Sequence, residues 1–309
     1  MPGRVFVTGG GGFVGSAVVE ELLGRDCAVT ALAHRAPVEA GRARIVRGGL
    51  FDAKALDEGM SGCDAVVHLV GVIFEKPGKG ITFDRIHVEG TKRVVDAAKR
   101  NGVRRYLHMS ALGSRPDAVS RYHQTKHRAE EYVRASGLDW TIFRPSLIHG
   151  PKGEFMTMEA GWARFRKPPF LFMPYFGGGA IGRKGAGLIQ PVYVKDVARA
   201  FVDALEKPQS IGEVYPLGGP DTMTWPQMHR MVAEVLTGRK RRLTVPLPAW
   251  VAKTLTYVAP QSLLEFNRDQ VQMSQEDNTC DLAKFRDDFG WEPTAFRAAL
   301  EGYAEEVKA

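Results

Sequence analysis

The chain has 309 residues, of which 44% are hydrophobic and 25% are charged. A chain of this length buries roughly three quarters of its unfolded surface, and the composition excludes collagen-like, coiled-coil and largely disordered proteins. The net charge of +7 reflects a mild excess of 42 basic over 35 acidic residues. The most evident basic run, residues 239–242, is short, so we expect a solvated turn there and no nucleic-acid binding.

Three cysteines, Cys27, Cys63 and Cys280, are far apart in the sequence and have no CxxC spacing. This pattern fits a reducing compartment and offers no metal-binding motif, so we expect a cytoplasmic protein without a metal ion. The first residues lead directly into a strand-like run, and we expect no secretory signal. No apolar stretch reaches the roughly 18 residues of a membrane span, while association with a membrane surface stays open.

Short β-branched runs alternate with amphipathic helical stretches in the first half of the chain. The predicted strands cover residues 5–8, 28–33, 43–46, 65–70, 105–110 and 140–144, and the predicted helices cover residues 15–23, 54–60, 83–100 and 122–135. Strands that alternate with helices indicate βαβ units and a parallel sheet covered on both faces. We therefore expect an α/β fold with a doubly wound parallel sheet.

This alternation stops after Gly150. Residues 151–187 are rich in glycine, proline, methionine and aromatic residues and have no clear period, whereas residues from 224 onward favour helices. A strand and a helix over 191–205 and a strand over 213–217 separate these stretches. We expect a dinucleotide-binding domain and a smaller, mostly helical substrate or lid domain, formed by residues 1–150 with 190–218 and by residues 151–189 with 219–309.

The sequence TGGGGFVG follows the first predicted strand and opens the first predicted helix. Gly9 permits a tight turn, Gly12 lets the backbone approach a pyrophosphate, and Gly15 lets the helix pack close to the sheet. The start of the helix then presents N–H groups and partial positive charge to the phosphates. This context indicates a dinucleotide-binding turn.

The identity of the dinucleotide depends on the end of the second strand. An NAD site needs a carboxylate there for the ribose 2′-hydroxyl, but residues 27–38 contain none. Arg35 offers a planar fork that suits a 2′-phosphate. NADP(H) is therefore favoured, with NAD(H) as the alternative.

Eight sequence motifs resemble those of a known family. The sequence resembles the extended or atypical branch of the short-chain dehydrogenase/reductase superfamily, which includes epimerase- and dehydratase-like proteins. It is most similar to bacterial relatives of the NAD(P)H-binding Rossmann accessory subunit of respiratory complex I. The motifs are TGGGGFVG (8–15), HLVG (68–71), IHVEGTKRVVDAAK (86–99), YLHMSALG (106–113), YHQTK (122–126), LDWTIFRPSLIHGP (138–151), PVYVKDVARAF (191–201) and YPLGGP (215–220).

The resemblance implies a chemistry. Tyr122 and Lys126 match the Tyr-x-x-x-Lys pair of the family, and their spacing places both on one helix face. The family Lys holds the nicotinamide ribose while the Tyr exchanges a proton with the substrate oxygen, and Ser110 is the candidate third catalytic residue. A nearby ammonium is expected to lower the pKa of the phenol. The implied cofactor contacts are Thr8, Gly9, Gly12, Phe13, Val14, Gly15, His34, Arg35, Leu50, Leu69, Val70, Gly71, His87, Ser110, Tyr122, Lys126, Arg144 and Pro145.

Three positions depart from the family pattern. Ala111 follows Ser110 where active members carry a hydroxyl, His87 stands where Asn is usual, and Gly49 stands where an Asp usually contacts adenine. These departures keep cofactor binding as the expectation and leave turnover open.

Residues 155–176 hold methionines and aromatic residues beside Arg164, Arg166 and Lys167. This segment is either a buried core or a lid or apolar docking surface for a substrate, a protein partner or a membrane.

Two functions follow from these observations. The favoured one is an NADP(H)-dependent oxidoreductase or epimerase-like enzyme that acts on a carbonyl or alcohol, in an apolar molecule or a sugar nucleotide, through Tyr122 and Lys126. The alternative is a non-catalytic NAD(P)H-binding accessory or assembly protein.

Overall fold

A computed structural model describes residues 2–34, 41–179, 187–239, 242–258, 264 and 266–308. Its backbone contacts divide the chain into two compact units. The first comprises Met1–Pro145, Val194–Leu217 and Asp281–Trp291, and the second comprises Ser146–Tyr193, Gly218–Cys280 and Glu292–Ala309. Residues 281–291, which the sequence analysis placed in the second domain, group with the first unit because their helix packs against the strand over 213–217.

The elements follow one another along the chain as follows. The strands are β1 (Arg4–Thr8), β2 (Ala28–Ala33), β3 (Arg44–Arg47), β4 (Ala65–His68), β5 (Arg105–Met109), β6 (Asp139–Pro145), β7 (Ile148–His149), β8 (Met173–Gly177), β9 (Val192–Tyr193), β10 (Glu213–Leu217) and β11 (Thr244–Pro248). The α-helices are α1 (Phe13–Gly24), α2 (Ala53–Met60), α3 (Gly90–Arg100), α4 (Arg121–Arg134), α5 (Glu154–Ala163), α6 (Val194–Ala204), α7 (Trp225–Thr237), α8 (Ala249–Val258), α9 (Arg268–Met273), α10 (Ala283–Phe289) and α11 (Phe296–Tyr303).

The first unit is built on a seven-stranded sheet of order β10-β6-β5-β4-β1-β2-β3. Every pair of neighbouring strands is parallel. This sheet confirms the predicted α/β fold with a doubly wound parallel sheet. The strand order reverses between β1 and β4, and in such sheets ligands bind at the carboxyl ends of the strands beside that reversal.

Apolar side chains cover the sheet. The four residues of β4 are all buried, as expected of a central parallel strand. On one face the core comprises Phe6, Val66 and Tyr106 from the strands with Val94 and Val95 from α3. Helices α1 and α6 pack against each other. The predicted helix over 83–100 is two elements, a π-helical stretch Asp84–Glu89 and then α3.

The second unit has its own core, in which α5, α7 and α11 contribute buried Met156, Trp162, Val232 and Leu300. Two small parallel sheets, β7 with β9 and β8 with β11, accompany these helices. The sequence predicts no strand at β8 or β11, because β11 contains two prolines and β8 contains one. No helix among the described residues is long and apolar enough to cross a membrane.

Gly59 provides a test of packing in the first unit. A Cβ added at Gly59 would overlap the ring of Phe6, whereas a Cβ at Gly24 has no atom within 4 Å. We expect Gly59→Ala to lower the free energy of unfolding by about 1–3 kcal/mol, because the buried ring has no room to move. Gly24→Ala is expected to raise it by up to about 1 kcal/mol through helix propensity. Urea denaturation of both variants measures the difference, and equal effects would contradict this packing.

Candidate cofactor and active site

The glycine-rich turn joins β1 to α1. Gly9 has a φ of +78°, which favours glycine, and its carbonyl accepts a hydrogen bond of 2.9 Å from the N–H of Gly12. A Cβ at Gly15 would overlap that same carbonyl. Helix α1 begins at Phe13 without a side-chain cap or an acidic residue in its first turn. The turn therefore directs the first N–H groups of α1 toward an anionic ligand.

The loop after β4 lies against this turn. A Cβ on Gly9 would lie 3.2 Å from Cγ2 of Val70 and 3.3 Å from its backbone nitrogen. Leu69 is buried and Gly71 is exposed. Backbone from the two central strands thus approaches closely at the point where the strand order reverses.

His34 and Gly49 are neighbours at the ends of β2 and β3. A Cβ on Gly49 would lie 3.0 Å from Nδ1 of His34, so the imidazole covers the position where the family pattern has an Asp. Leu50 is buried, and one of its methyl groups lies where a side chain on Gly90 would stand. Arg35, the predicted 2′-phosphate ligand, lies outside the described residues.

Helix α4 carries both predicted catalytic residues, and Ser120 caps it by accepting a hydrogen bond from the N–H of His123. Lys126 is only 2% exposed. Its Nζ donates a 2.9 Å hydrogen bond to the carbonyl of Met109 at the end of β5. A Cβ on Gly71 would lie 2.9 Å from this nitrogen. The amine therefore lies between the ends of β4 and β5, and burial lowers its pKa to about 8.

Tyr122 precedes Lys126 by one turn of α4 and lies among aromatic rings. The ring of His87 meets it edge-on with the centroids 5.3 Å apart, and Phe83 does so at 5.8 Å. The resemblance predicts that the ammonium lowers the pKa of this phenol. That expectation is wrong for this structure, because burial raises the pKa of Tyr122 to about 12. At neutral pH the phenol is therefore protonated.

His87 connects the loop after β4 to α4. Its Nδ1 lies 2.9 Å from Oγ1 of Thr125, and its Nε2 lies 3.1 Å from both the nitrogen and the oxygen of Val72. The Thr125 hydroxyl also has carbonyl acceptors on Arg121 and Tyr122. Burial and, to a smaller extent, the charge of Lys126 together lower the pKa of His87 to about 2, so the ring is neutral.

Ser110 follows β5 and is buried. Its hydroxyl donates to Oγ of Ser114 at 3.2 Å, and its N–H donates to the carbonyl of Phe143 at 2.8 Å. Ala111 is also buried. The hydroxyl groups on either side of Ala111 in the sequence are thus hydrogen-bonded to each other.

Three predicted cofactor contacts have partners within the protein. Oγ1 of Thr8 lies 2.6 Å from Nδ1 of His68. The guanidinium of Arg144 binds the buried carboxylate of Glu130 through two hydrogen bonds of 2.8 and 2.6 Å. Pro145 is buried and its carbonyl accepts from the N–H of Leu112.

Two buried histidines, His68 and His108, stand beside Thr8 in the sheet and were not among the residues predicted for the site. Thr8, His68 and His108 lie opposite one another on β1, β4 and β5. Nε2 of His68 lies 3.1 Å from Oγ1 of Thr91. Among the described residues, neither ring nitrogen of His108 has a hydrogen-bond partner, and the centroid of this ring lies 5.4 Å from that of His68. The signal was available, since both histidines stand near the ends of apolar strands.

Burial keeps these two histidines neutral. It lowers the pKa of His68 to about 3 and that of His108 well below its usual range, and Lys126 contributes to both. Among the residues that the structure describes, no group of three or more His, Cys, Asp or Glu side chains is placed to hold a metal ion.

Comparison with known proteins identifies the family. A family model described as NAD(P)H-binding matches residues 9–163, half of the chain, and the chain belongs to this family. It is 30% identical over 215 residues to subunit 9 of the NADH dehydrogenase [ubiquinone] 1 alpha subcomplex, mitochondrial, of Arabidopsis thaliana, covering 69% of this chain and 50% of that protein. It is 27% identical over 251 residues to the ceramide reductase of Caulobacter vibrioides, covering 80% and 74%.

The fold has solved counterparts. UDP-glucose 4-epimerase from Thermotoga maritima superposes with a TM-score of 0.75 at 21% identity, over 98% of both chains. The similarity to the mitochondrial subunit confirms the predicted resemblance to the complex I subunit, and the solved structure confirms an epimerase-like fold. The chain spans 50% to 65% of the length of the mitochondrial relatives.

The neutral histidines make the first unit sensitive to acid. An unfolded chain binds protons at the usual histidine pKa of 6.5, whereas the folded rings of His68, His87 and His123 do so only at about 3, 2 and 4. Protons therefore favour the unfolded state, and stability falls as the pH drops below about 6.5. The slope is up to about 1.4 kcal/mol per pH unit for each histidine.

His108→Leu tests this effect at one residue. We expect the variant to keep or increase its stability at pH 7, because His108 has no hydrogen-bond partner to lose in the part of the chain that the structure describes. Between pH 6.5 and 5, unfolding of the variant should take up about one proton fewer, so its free energy of unfolding should fall less steeply with decreasing pH. Urea denaturation at several pH values measures both quantities. An unchanged slope would exclude His108 as a source of the acid sensitivity.

Proposed function

We propose that this protein is an NAD(P)H-dependent oxidoreductase that reduces a carbonyl group of a small-molecule substrate. The observation that carries the proposal is the position of Lys126 on α4. Its amine lies beside Gly71 and the carbonyl of Met109, at the edge that holds the glycine-rich turn. Tyr122 precedes it by one helical turn. An apolar carbonyl compound and a sugar nucleotide are the two substrate classes that we consider.

The protonation of Tyr122 supports reduction over oxidation. The bound nicotinamide cofactor supplies the hydride for this chemistry. As the substrate oxygen gains negative charge, Tyr122 donates its phenolic proton to it. A phenol with a pKa of about 12 is a stronger acid than an alcohol, whose pKa is close to the 15.7 of water, roughly. Proton donation is therefore downhill, whereas a phenolate base would be scarce at neutral pH.

Lys126 is assigned two tasks. Its donors orient the ribose of the cofactor, which requires a fixed position, and burial between two strand ends provides it. With a pKa of about 8, the amine also exchanges a proton near neutral pH. It can therefore return a proton toward Tyr122 after each turnover.

NADP(H) is the proposed cofactor. No carboxylate stands at residues 27–38 to bind a ribose 2′-hydroxyl, and Arg35 follows His34 at the end of β2. An imidazole over Gly49 replaces the usual Asp on the adenosine side of the site. Both features remove negative charge from the region that would face a 2′-phosphate.

A second function is favoured by Ala111. This buried methyl group replaces the hydroxyl that polarises a substrate carbonyl in active family members. The first mitochondrial relative is named a subunit of NADH dehydrogenase. In this alternative the nucleotide is a structural ligand and the protein is an accessory or assembly component.

Tyr122→Phe tests the catalytic proposal. We expect carbonyl-dependent NADPH oxidation to fall at least a hundredfold, because the proton donor is lost, while NADPH affinity changes less than twofold. Tyr132→Phe is the matched control on the same helix, since the Tyr132 hydroxyl donates to Asp96 instead. Equal activity of the two variants would contradict the role of Tyr122.

The same variants separate the two functions. An enzyme should change its turnover when Ala111→Ser restores a hydroxyl. An accessory protein should bind NADPH, oxidise none of it with a panel of aldehydes and ketones, and keep its affinity and its assembly in Tyr122→Phe.

Arg35→Ala tests the cofactor preference. Because the substitution removes a charged partner of the 2′-phosphate, NADPH affinity should fall about tenfold or more, and NADH affinity should be unchanged. Fluorescence titration with both cofactors measures the ratio. An equal loss of affinity for NADPH and NADH would show that Arg35 does not bind the 2′-phosphate.

A further inference from the structure

Positive charge is concentrated in two stretches of the second unit. Residues 160–187 and 235–264 together contain ten lysines and arginines and no aspartate or glutamate. The rest of the chain has 32 basic and 35 acidic residues. The whole net charge of +7 therefore comes from these two stretches.

The structure brings the two stretches together. Strands β8 and β11 pair in parallel, and the N–H of Met173 donates to the carbonyl of Leu243 at 2.9 Å. Arg242 is buried and donates hydrogen bonds of 2.8, 2.6 and 2.7 Å to three carbonyls of the first stretch, on Trp162, Phe170 and Leu171. One buried guanidinium thus fastens the loop after α5 to the second stretch.

Large apolar side chains are exposed on the same stretches. Leu171 is 75% exposed, Leu243 is 60% exposed, and Phe170 lies beside Leu171 with half of its surface exposed. Phe165 is also exposed, and the guanidinium carbons of Arg242 and Arg239 lie 3.6 and 4.8 Å from its ring centroid.

Helix α8 adds aromatic residues. It packs against β8 and β11. Trp250 and Tyr257, 59% and 67% exposed, are seven residues apart and therefore lie on one face of the helix. We call the following set the aromatic–basic surface: Phe165, Arg166, Phe170, Leu171, Arg239, Leu243, Trp250 and Tyr257.

Charge and residue type indicate what covers this surface. Exposed apolar groups of this size normally mark an interaction site, and Trp and Tyr prefer the interface between lipid and water. Basic side chains among them attract anionic lipid headgroups. A second copy of the chain would instead place two acid-free, cationic stretches against each other. We propose that the aromatic–basic surface docks on an anionic lipid bilayer.

This proposal specifies which part of the chain meets a membrane and which lipids it prefers. Apolar side chains enter the headgroup region, and arginines remain at the level of the phosphates. It does not depend on turnover by Tyr122, because its residues belong to the second unit alone.

Vesicle sedimentation tests the proposal with the full chain. We expect at least tenfold tighter binding to vesicles of phosphatidylcholine with phosphatidylglycerol than to phosphatidylcholine alone, and loss of this difference at high salt. The double variants Leu171→Ser with Trp250→Ser, and Arg166→Glu with Arg239→Glu, should each weaken binding at least tenfold. NADPH affinity and the melting temperature of each variant report whether it folds.

Matched controls lie on the first unit. Val119→Ser with Ile211→Ser removes two exposed apolar side chains there. Lys54→Glu with Lys99→Glu makes the same change in net charge at two exposed positions. Both controls should bind vesicles within about threefold of the unchanged protein.

Other results would overturn the proposal. Equal binding to the two kinds of vesicle would show that anionic lipid is not the ligand. If Lys54→Glu with Lys99→Glu loses as much binding as Arg166→Glu with Arg239→Glu, the net charge of the protein, and not this surface, is responsible for the binding. A stable dimer in light scattering that Leu171→Ser with Trp250→Ser dissociates would assign the surface to a second copy of the chain.

Discussion

The buried amine of Lys126 sets the electrostatics of the first unit. It is hydrogen-bonded to a backbone carbonyl, and its charge adds to the larger effect of burial that lowers the pKa of His68, His87 and His108. A neutral imidazole can accept as well as donate a hydrogen bond. His68 can therefore connect β1 to α3 through two threonines, and His87 can connect the loop after β4 to α4. The candidate site thus depends on rings that stay uncharged.

The carboxylate of Glu130 completes this arrangement on the same face of α4. It is fully buried and one helical turn from Lys126. Arg144 reaches it from β6 with two hydrogen bonds, and Arg134 adds a third at 3.2 Å. A buried carboxylate without such partners would be strongly unfavourable. Arg144, which the resemblance implied as a cofactor contact, therefore fixes α4 on the sheet and positions Lys126 indirectly.

The limits of sequence reasoning follow from these contacts. Strand β2 was predicted to the residue because a β-branched, apolar run is bounded by clear breaks, and the turn at Gly9 was predicted because its spacing is local. The pairing of His68 with His108 depends on strand register, which the sequence does not display. The raised pKa of Tyr122 depends on neighbours from a distant helical stretch. Strand β11 was missed since prolines at 246 and 248 argue against a strand.

The two units share one structural feature, a buried cationic side chain, but its consequences differ. Each contains a buried cation whose donors bind backbone carbonyls, Lys126 in the first and Arg242 in the second. Burial lowers the pKa of the lysine to about 8, so the amine can gain or lose a proton near neutral pH. Burial also lowers the pKa of the arginine, but a guanidinium remains charged in proteins. A lysine that can lose its proton near neutral pH suits the proposed proton transfer at Tyr122. An arginine that stays charged suits the proposed lipid-binding surface, where it holds aromatic side chains in place.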